Sequence, residues 1–386
     1  MKTLCCHFPK CGGCTILDKS YDEQLALKKN VLNALFNNYK GLEPAIIKSP
    51  QINDYRHKVQ LPFCSLRSGK QGKIGLGCYA KESHEVVDQK ECYIQDKALT
   101  IVAHGVREWA QKTRLTAYNE TSGKGFLRHV LLRKGAGTGE ILIGLVTNGG
   151  RPDGSRFLSK MLLDLVQPRL AKSGTIVGIV QNVNTRDTNV VLGTIENVWW
   201  GRPFIKELLG NLKFKLEMST FFQVNPYQTP NLYNEVSRFI PSGARVLDLY
   251  SGVGSISLWL SSKAKEVVGI EENKISISAA RTAASLNQIK NVRFIAGDVT
   301  ELLPDFTRTG FECAVIDPPR KGIDKKSVDS VMGSTLKRLI YVSCNPLTLA
   351  RDVALMQKKY SLVSLTGVDM FPHTDHIEAV AVLDRM

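Results

Sequence analysis

Residues 206–386 alternate between short β-branched apolar runs and longer segments of helical period, and few folds accept that pattern. ARVLDLYS, EVVGIEEN, VRFIAGD, CAVIDPP and LKRLIYVSCN read as strands. ISISAARTAASLNQI and PLTLARDVALMQKKY read as helices, and GVGSISLWLSS as a helix start. Two more strands are expected near 361–368 and 376–384. Such alternation packs helices on both faces of a mostly parallel sheet, so the expectation is a Rossmann-like, doubly wound α/β domain.

The sequence upstream has a different grammar. Between residues 45 and 205, short β-rich runs are punctuated by Gly-rich turns: HKVQLPF, KIGLGCY, FLRHVLLRKG, EILIGLVTNGG, GTIVGIVQNVN and NVVLGT. With helices near 97–114 and 156–172, this predicts a β-rich α+β domain with a mostly antiparallel sheet. Residues 20–40 form a predicted helix. Ser20 and Glu23 make a capping box, Leu25, Leu32, Leu35 and Phe36 form its apolar stripe, and Gly41 ends it. The expected organisation is a cysteine segment (1–19), a helix (20–44), a β-rich central domain (45–205) and an α/β domain (206–386).

Lys and Arg number 51 against 36 Asp and Glu, a net charge of +15. Of this, +11 falls in residues 1–200 and +4 in 201–386. Such an excess favours a polyanionic partner gripped by the β-rich part, with Arg56, Lys58, Arg128 and Arg133 as candidate phosphate contacts. Apolar runs fall short of the about 18 residues that span a bilayer, and MKTLCCHFPKCGGC has no apolar signal region. A cytoplasmic chain with no membrane partner is expected.

Nine cysteines, an odd number, with no secretory signal argue against a disulfide framework. Cys5, Cys11 and Cys14 have the spacing of metal ligands, with Gly12 and Gly13 able to bring backbone N–H groups toward sulfur. A fourth thiolate is needed for a tetrahedral site; Cys92 is the candidate, with Cys64 and Cys78 as rivals. Spacing alone leaves an iron–sulfur cluster, a structural zinc (with His7 as a possible substitute ligand) and unligated thiols all open.

The turn VLDLYSGVGSIS sits where an α/β sheet binds ligands. Gly252 and Gly254 are followed by Ser257, so the third glycine of a dinucleotide fingerprint is missing. Asp248 would repel a pyrophosphate and suits a cationic or zwitterionic ligand. Glu271, ending the next strand, can accept from both ribose hydroxyls, and Asp298 from an adenine amine. These residues point to S-adenosylmethionine rather than a nicotinamide cofactor.

Three features mark a reactive end. Asp317-Pro318-Pro319-Arg320 closes a strand, with Arg320 where amine methyltransferases carry a stacking aromatic. Cys344 ends another strand in YVSCNP, ahead of a helix whose N-terminus favours a thiolate. Glu378 opens an otherwise apolar terminal strand. Carbon-5 of uracil is a poor nucleophile; thiolate addition at carbon-6 makes it an enolate carbon, and a carboxylate must then remove the carbon-5 proton. One Cys and one Glu are the minimal set. His373 and His376 lack a matching ligand set and read as polar loop residues.

Taken together, Cys5/Cys11/Cys14, Tyr55-Arg56-x-Lys58, Phe221-Phe222-Gln223-Val224-Asn225, Gly252/Gly254, Asp317-Pro-Pro-Arg, Ser343-Cys344-Asn345-Pro346 and His376-x-Glu378 resemble, in order, the uracil-C5 RNA methyltransferase family. The resemblance implies Cys344 as nucleophile and Glu378 as general base. It implies S-adenosylmethionine held by Gln223, Tyr250, Ser255, Glu271, Asp298 and Asp317. It implies a [4Fe-4S] cluster on Cys5, Cys11, Cys14 and Cys92, as in the ribosomal RNA branch, and packing of helix 20–40 on the catalytic domain. Many relatives carry an RNA-binding β-barrel before the cysteines; only four residues precede Cys5 here.

The expectation is therefore methylation of a uridine in large-subunit ribosomal RNA, with the base flipped out of its stack and no DNA partner. The alternatives are the T-loop uridine of transfer RNA, a non-catalytic RNA-binding assembly factor, and an iron–sulfur oxidoreductase, which the incomplete glycine fingerprint disfavours.

Overall fold

The computed structural model describes residues 5–66, 73–113, 115–188, 190–307 and 309–386. The chain divides into two compact units. One holds residues 1–18, 52–208 and 215–219, the other 19–51, 209–214 and 220–386.

The second unit begins with α1 (Tyr21–Leu35) and β1 (Ala45–Ile47). Ser20 caps α1, its hydroxyl accepting from the Glu23 amide while the Glu23 carboxylate takes the Ser20 N–H, so both halves of the expected box form. The helix stops at Leu35, earlier than residue 40. Leu32 and Phe36 are fully buried in the core of this unit, each contributing roughly 1.5–3 kcal/mol. β1 lies in the range assigned from sequence to the β-rich domain, yet it pairs in parallel with a strand near the C-terminus.

The first unit is a seven-stranded sheet built from β2 (Lys58–Leu66), β3 (Lys73–Tyr79), β4 (Val86–Asp88), β5 (Leu127–Lys134), β6 (Glu140–Thr147), β7 (Thr175–Val183) and β8 (Ile195–Gly201), ordered β4-β3-β2-β5-β6-β7-β8. Its pairings are antiparallel except β6–β7, the two strands bridged by a helix. The two helices, α2 (Lys97–Lys112) and α3 (Ser155–Leu170), pack on each other. The buried Trp109 of α2 donates its indole N–H to the Leu158 carbonyl at 2.9 Å. NVVLGT is not a strand over its described residues; the edge strand is the next segment, IENVWWG. A two-stranded sheet, β9 (Phe204–Leu209) and β10 (Leu212–Glu217), follows.

The remainder of the second unit runs α4 (Thr229–Arg238), β11 (Arg245–Leu249), α5 (Ser255–Leu260), β12 (Glu266–Glu271), α6 (Lys274–Leu286), β13 (Val292–Ala296), α7 (Val299–Thr307), β14 (Cys313–Ile316), α8 (Lys325–Gly333), β15 (Arg338–Ser343), α9 (Pro346–Met356), β16 (Tyr360–Val368) and β17 (Glu378–Arg385). With β1 these strands form one sheet ordered β1-β16-β17-β15-β14-β11-β12-β13. Every pairing is parallel except the two made by β17, which alone runs against its neighbours. The strand order reverses between β11 and β14. Ligands of open α/β sheets bind beyond the strand ends at such a switch point. This confirms the Rossmann-like expectation. No helix among the described residues is long and apolar enough to cross a membrane.

Candidate active site

A cleft of about 760 Å³ opens at the carboxyl ends of β11, β12, β14 and β15, within the size range of small-ligand sites. Gln223, Tyr250, Ser255, Glu271, Asp298, Asp317, Cys344 and Glu378, all expected from sequence, line it together.

Its β11 end is a strained turn. Tyr250 holds a left-handed backbone with φ 64°, and its hydroxyl pairs with Ser327 at 2.9 Å. Gly254 also has positive φ, and a Cβ there would come within 2.3 Å of the Phe294 ring. Asp248 ends up fully buried. One carboxylate oxygen accepts from Ser257 at 2.5 Å, while Oδ1 has no hydrogen-bond partner. Burial pushes its pKa up to about 7. The Ser251 hydroxyl is likewise buried and unpartnered. Orphaned polar atoms inside a cleft are acceptors waiting for a ligand, and a carboxylate suits an ammonium. Glu271 accepts from the Gly252 amide at 3.0 Å and the Asn273 amide at 2.8 Å, which fixes the carboxylate at the end of β12. Asp298 is differently used: one oxygen caps α7 through Thr300, which holds its pKa below the usual carboxylate range. Ser255 pairs with the buried Tyr233 hydroxyl at 2.7 Å. These acceptors fit a zwitterionic nucleoside ligand.

The other end of the cleft is set by the reversed strand. The β15–β17 register pairs Ser343 with Ala379, so Cys344, just past the end of β15, and Glu378, the first residue of β17, meet at one edge. A parallel strand in that place would have put its first residue at the opposite side of the sheet. Cys344 sits on a fixed turn: the Asn345 amide donates to Ser343 Oγ, and Asn345 caps α9 ahead of Pro346. Asn345 and Thr348 side chains both donate to the Arg320 carbonyl, tying the DPPR loop to this turn.

Electrostatics couple these groups. Burial pushes the Cys344 thiol up and Glu378 pushes it further, whereas Arg320 pulls it down. Glu378 is raised well above the usual carboxylate range by burial and by Asp317, again opposed by Arg320. Asp317 rises to about 7 through burial, with Asp248 adding to it. The site thus holds a thiol, a proton-accepting carboxylate and a shared cation. Such a set can add to an electron-poor ring and then strip a proton from it.

Sequence reasoning assigned no role to Phe221, Arg320, Phe371 or His376, which also line the cleft. Phe221 is 66% exposed beside the buried Phe222, a free aromatic face at the mouth. His376 is not merely a polar loop residue: it faces Arg320 at 3.5 Å and stacks edge-on to Phe371. His373 is buried against α1. The sequence set Arg320 apart only as standing where an aromatic is usual, and His376 only as part of a motif; Phe371, in the loop, left no local signal.

In the first unit, Cys92, Cys11 and Cys5 lie close enough to Cys14 to raise its thiol, Cys11 and Cys5 also raise Cys92, and Cys11 and Cys92 raise Cys78. The hydrogen bond with Cys78 brings Cys11 down to about 6, while burial and the neighbouring thiolates push Cys14 up to about 12. The Gly13 amide donates to Cys11 Sγ at 3.4 Å. Cys64 instead lies by Asp88 and Arg107. Among the described residues, no group of three or more Cys, His, Asp or Glu side chains stands at metal-holding spacing.

Two of the expected phosphate contacts are corrected. Arg128 and Arg133 are buried: Arg128 donates to the Asn184 and Arg186 carbonyls, and Arg133 to that of Glu217. Burial brings Lys58, paired in register with Arg133, down to about 7. Arg56 lies near Cys14 and Cys78.

A family model described as tRNA (Uracil-5-)-methyltransferase matches residues 211–386. An uncharacterized RNA methyltransferase of Leptospira interrogans is 44% identical over 385 residues, spanning 99% of this chain and 98% of its own length. One from Clostridium acetobutylicum is 36% identical, over 99% of this chain and 83% of its own. The crystal structure of Pyrococcus abyssi tRNA (uracil-54, C5)-methyltransferase in complex with S-adenosyl-L-homocysteine is similar with a TM-score of 0.78 and 30% identity, covering 97% of this chain and 86% of that one. The chain belongs to the uracil-C5 RNA methyltransferase family.

Proposed function

We propose that this chain methylates carbon-5 of a uridine in large-subunit ribosomal RNA. The observation that carries the chemistry is the meeting of Cys344 and Glu378 at adjacent strand ends in one cleft with the unpartnered Asp248 oxygen. S-adenosylmethionine supplies the electrophilic methyl group; Gln223, Tyr250, Ser255, Glu271, Asp298 and Asp317 would hold it, with Asp248 beside them.

The flipped uracil stands over Cys344, with Phe221 offering an aromatic face. The Cys344 thiolate, favoured by Arg320, forms a bond to carbon-6, and the electron pair moves to the carbon-4 oxygen as an enolate. Carbon-5 then takes the methyl group, the methyl–sulfonium bond breaking as the carbon–carbon bond forms and S-adenosylhomocysteine leaving. Glu378 takes the carbon-5 proton, the carbon-5–carbon-6 double bond re-forms, and the carbon-6–sulfur bond breaks to return the thiolate. The high proton affinity of Glu378 suits it to this step.

A [4Fe-4S] cluster on Cys5, Cys11, Cys14 and Cys92 is part of this reading. The donor set is that of such a cluster, and the nearness of Cys5, Cys11 and Cys92 to Cys14 supports it. Its part would be to shape the segment that holds it, since methyl transfer moves no net electrons. The cysteine set is also what favours ribosomal RNA as target. The likeness to a transfer RNA uracil-54 enzyme over nearly the whole chain favours a second reading, the T-loop uridine of transfer RNA. Mapping 5-methyluridine by mass spectrometry in ribosomal and transfer RNA, from cells with and without the gene, separates the two. A site lost only from ribosomal RNA supports the first, and one lost only from transfer RNA the second.

A further inference from the structure

The loop between β16 and β17 carries Phe371 and His376 into the cleft and delivers Glu378 at its end. It is held by one polar stripe of α1. Tyr21, Gln24 and Lys28 lie at helical spacing, so they share a face. Lys28, 2% exposed, donates to the fully buried Asp369 carboxylate at 2.5 Å and to the Phe371 carbonyl at 3.0 Å. The Tyr21 hydroxyl donates to the other Asp369 oxygen at 2.9 Å. Gln24 accepts the His373 backbone N–H at 2.8 Å and meets that residue's ring nitrogen at 3.1 Å. His373 has a left-handed backbone, φ 67°, a conformation that needs outside support in a residue with a side chain. From the far side, Asn225 donates to the Met370 carbonyl at 3.0 Å.

A buried ion pair is an expensive way to fasten a helix, because apolar packing would hold it as well. What this pair supplies is a fixed position for Asp369 and the Phe371 backbone. We infer that Lys28 and Gln24 are positioning residues for proton removal: α1 sets the 369–377 loop and through it the placement of Glu378 against the base. This rests on Glu378 being the general base.

The test uses the full chain with Lys28→Met and, because breaking a buried pair endangers folding, the milder Gln24→Leu. Hydrogen–deuterium exchange without RNA should rise in 370–377 for both variants and stay unchanged in 252–258. On an RNA that the wild type methylates, turnover should fall roughly 10²-fold, as for a catalytic group displaced by about 1 Å, and S-adenosylmethionine affinity should hold. Because the thiol still adds, methylated RNA covalently attached to the protein should accumulate. Unchanged exchange in 370–377 in every variant that folds overturns the proposal. So does a lower melting temperature with wild-type turnover, or slow turnover without the covalent species. Glu378→Gln, run alongside, separates the two claims: wild-type turnover there removes the base reading, while the exchange data still report on the loop.

Discussion

Arg320 is the cation shared by Cys344 and Glu378: it draws the thiol toward ionisation and the carboxyl away from protonation, while burial raises both, Glu378 adding to the rise of the thiol and Asp317 to that of Glu378. The site therefore works against its own ionisation, and the activity should show it. Release of methylated RNA needs Cys344 as thiolate for addition and Glu378 as carboxylate for the later proton step. Both lie above their ordinary values, so the single-turnover rate should climb with pH through the neutral and mildly alkaline range. Arg320→Gln should move that rise to higher pH. Rapid-quench release of free methylated RNA, measured from pH 6 to 9, checks it.

Glu378→Gln should lower turnover by about 10²–10⁴-fold, the usual contribution of a positioned general base. The distinguishing sign is the species that accumulates. Carbon–sulfur bond formation and methyl transfer precede the proton step, so methylated RNA should remain attached to protein on a denaturing gel.

Asp248→Asn should stabilise the ligand-free chain and weaken its cofactor binding. Folding raises the Asp248 pKa from 3.8 to about 7, so the folded state keeps a proton that the unfolded state loses between those values. Stability from this group accordingly falls as pH rises from about 4 to about 7 and stays reduced above. Ionisation costs the fold a few kcal/mol, on the order of 1.4 kcal/mol per pH unit of difference. Urea unfolding should show a gain of that size for the variant at pH 8 and little at pH 4. Calorimetry should show loss of S-adenosylmethionine affinity.

Much of the α/β unit is legible in the sequence because its signals are local. Ser20 and Glu23 announce the start of α1, and the runs ending at Leu249, Glu271, Ile316 and Ser343 have the length and branching of buried strands. The cleft residues follow, since the carboxyl ends of those strands define it. What escapes is set by distant contacts. Lys28 and Asp369 are 341 positions apart, and a lysine on a predicted helix reads as solvated until its partner is known. The same holds for Arg128 and Arg133, whose charge suggested phosphate but whose side chains are absorbed by backbone carbonyls. NVVLGT has strand composition, but the next segment, with Trp199 buried against the core and Trp200 outward, is the one that pairs with β7.

Arg128→Ala should act on the fold rather than on RNA. Its guanidinium serves two carbonyls and stacks on the Tyr118 ring at 4.4 Å, so removal should cost about 1.5–3 kcal/mol. The slope of RNA affinity against salt concentration should not change, because no phosphate contact is lost. Denaturant unfolding and filter binding at several salt concentrations measure the two effects.

Cys92→Ala should abolish iron loading. The wild-type chain, purified without air, should be brown with broad absorbance near ~400 nm, and iron and sulfide analysis should give four of each per chain. Zinc in the same preparation would instead assign a Cys-ligated structural zinc.

The central claim is that Cys344 attacks carbon-6 of a uracil. RNA carrying 5-fluorouridine measures this directly, because fluorine cannot leave as the carbon-5 proton does. With S-adenosylmethionine present, the wild-type chain should form a stable covalent complex that survives denaturing electrophoresis, with the RNA attached to the peptide containing Cys344; Cys344→Ala should form none. A wild-type chain that binds this RNA and methylates unmodified RNA without giving the complex, or a Cys344→Ala chain that gives it, would contradict the account.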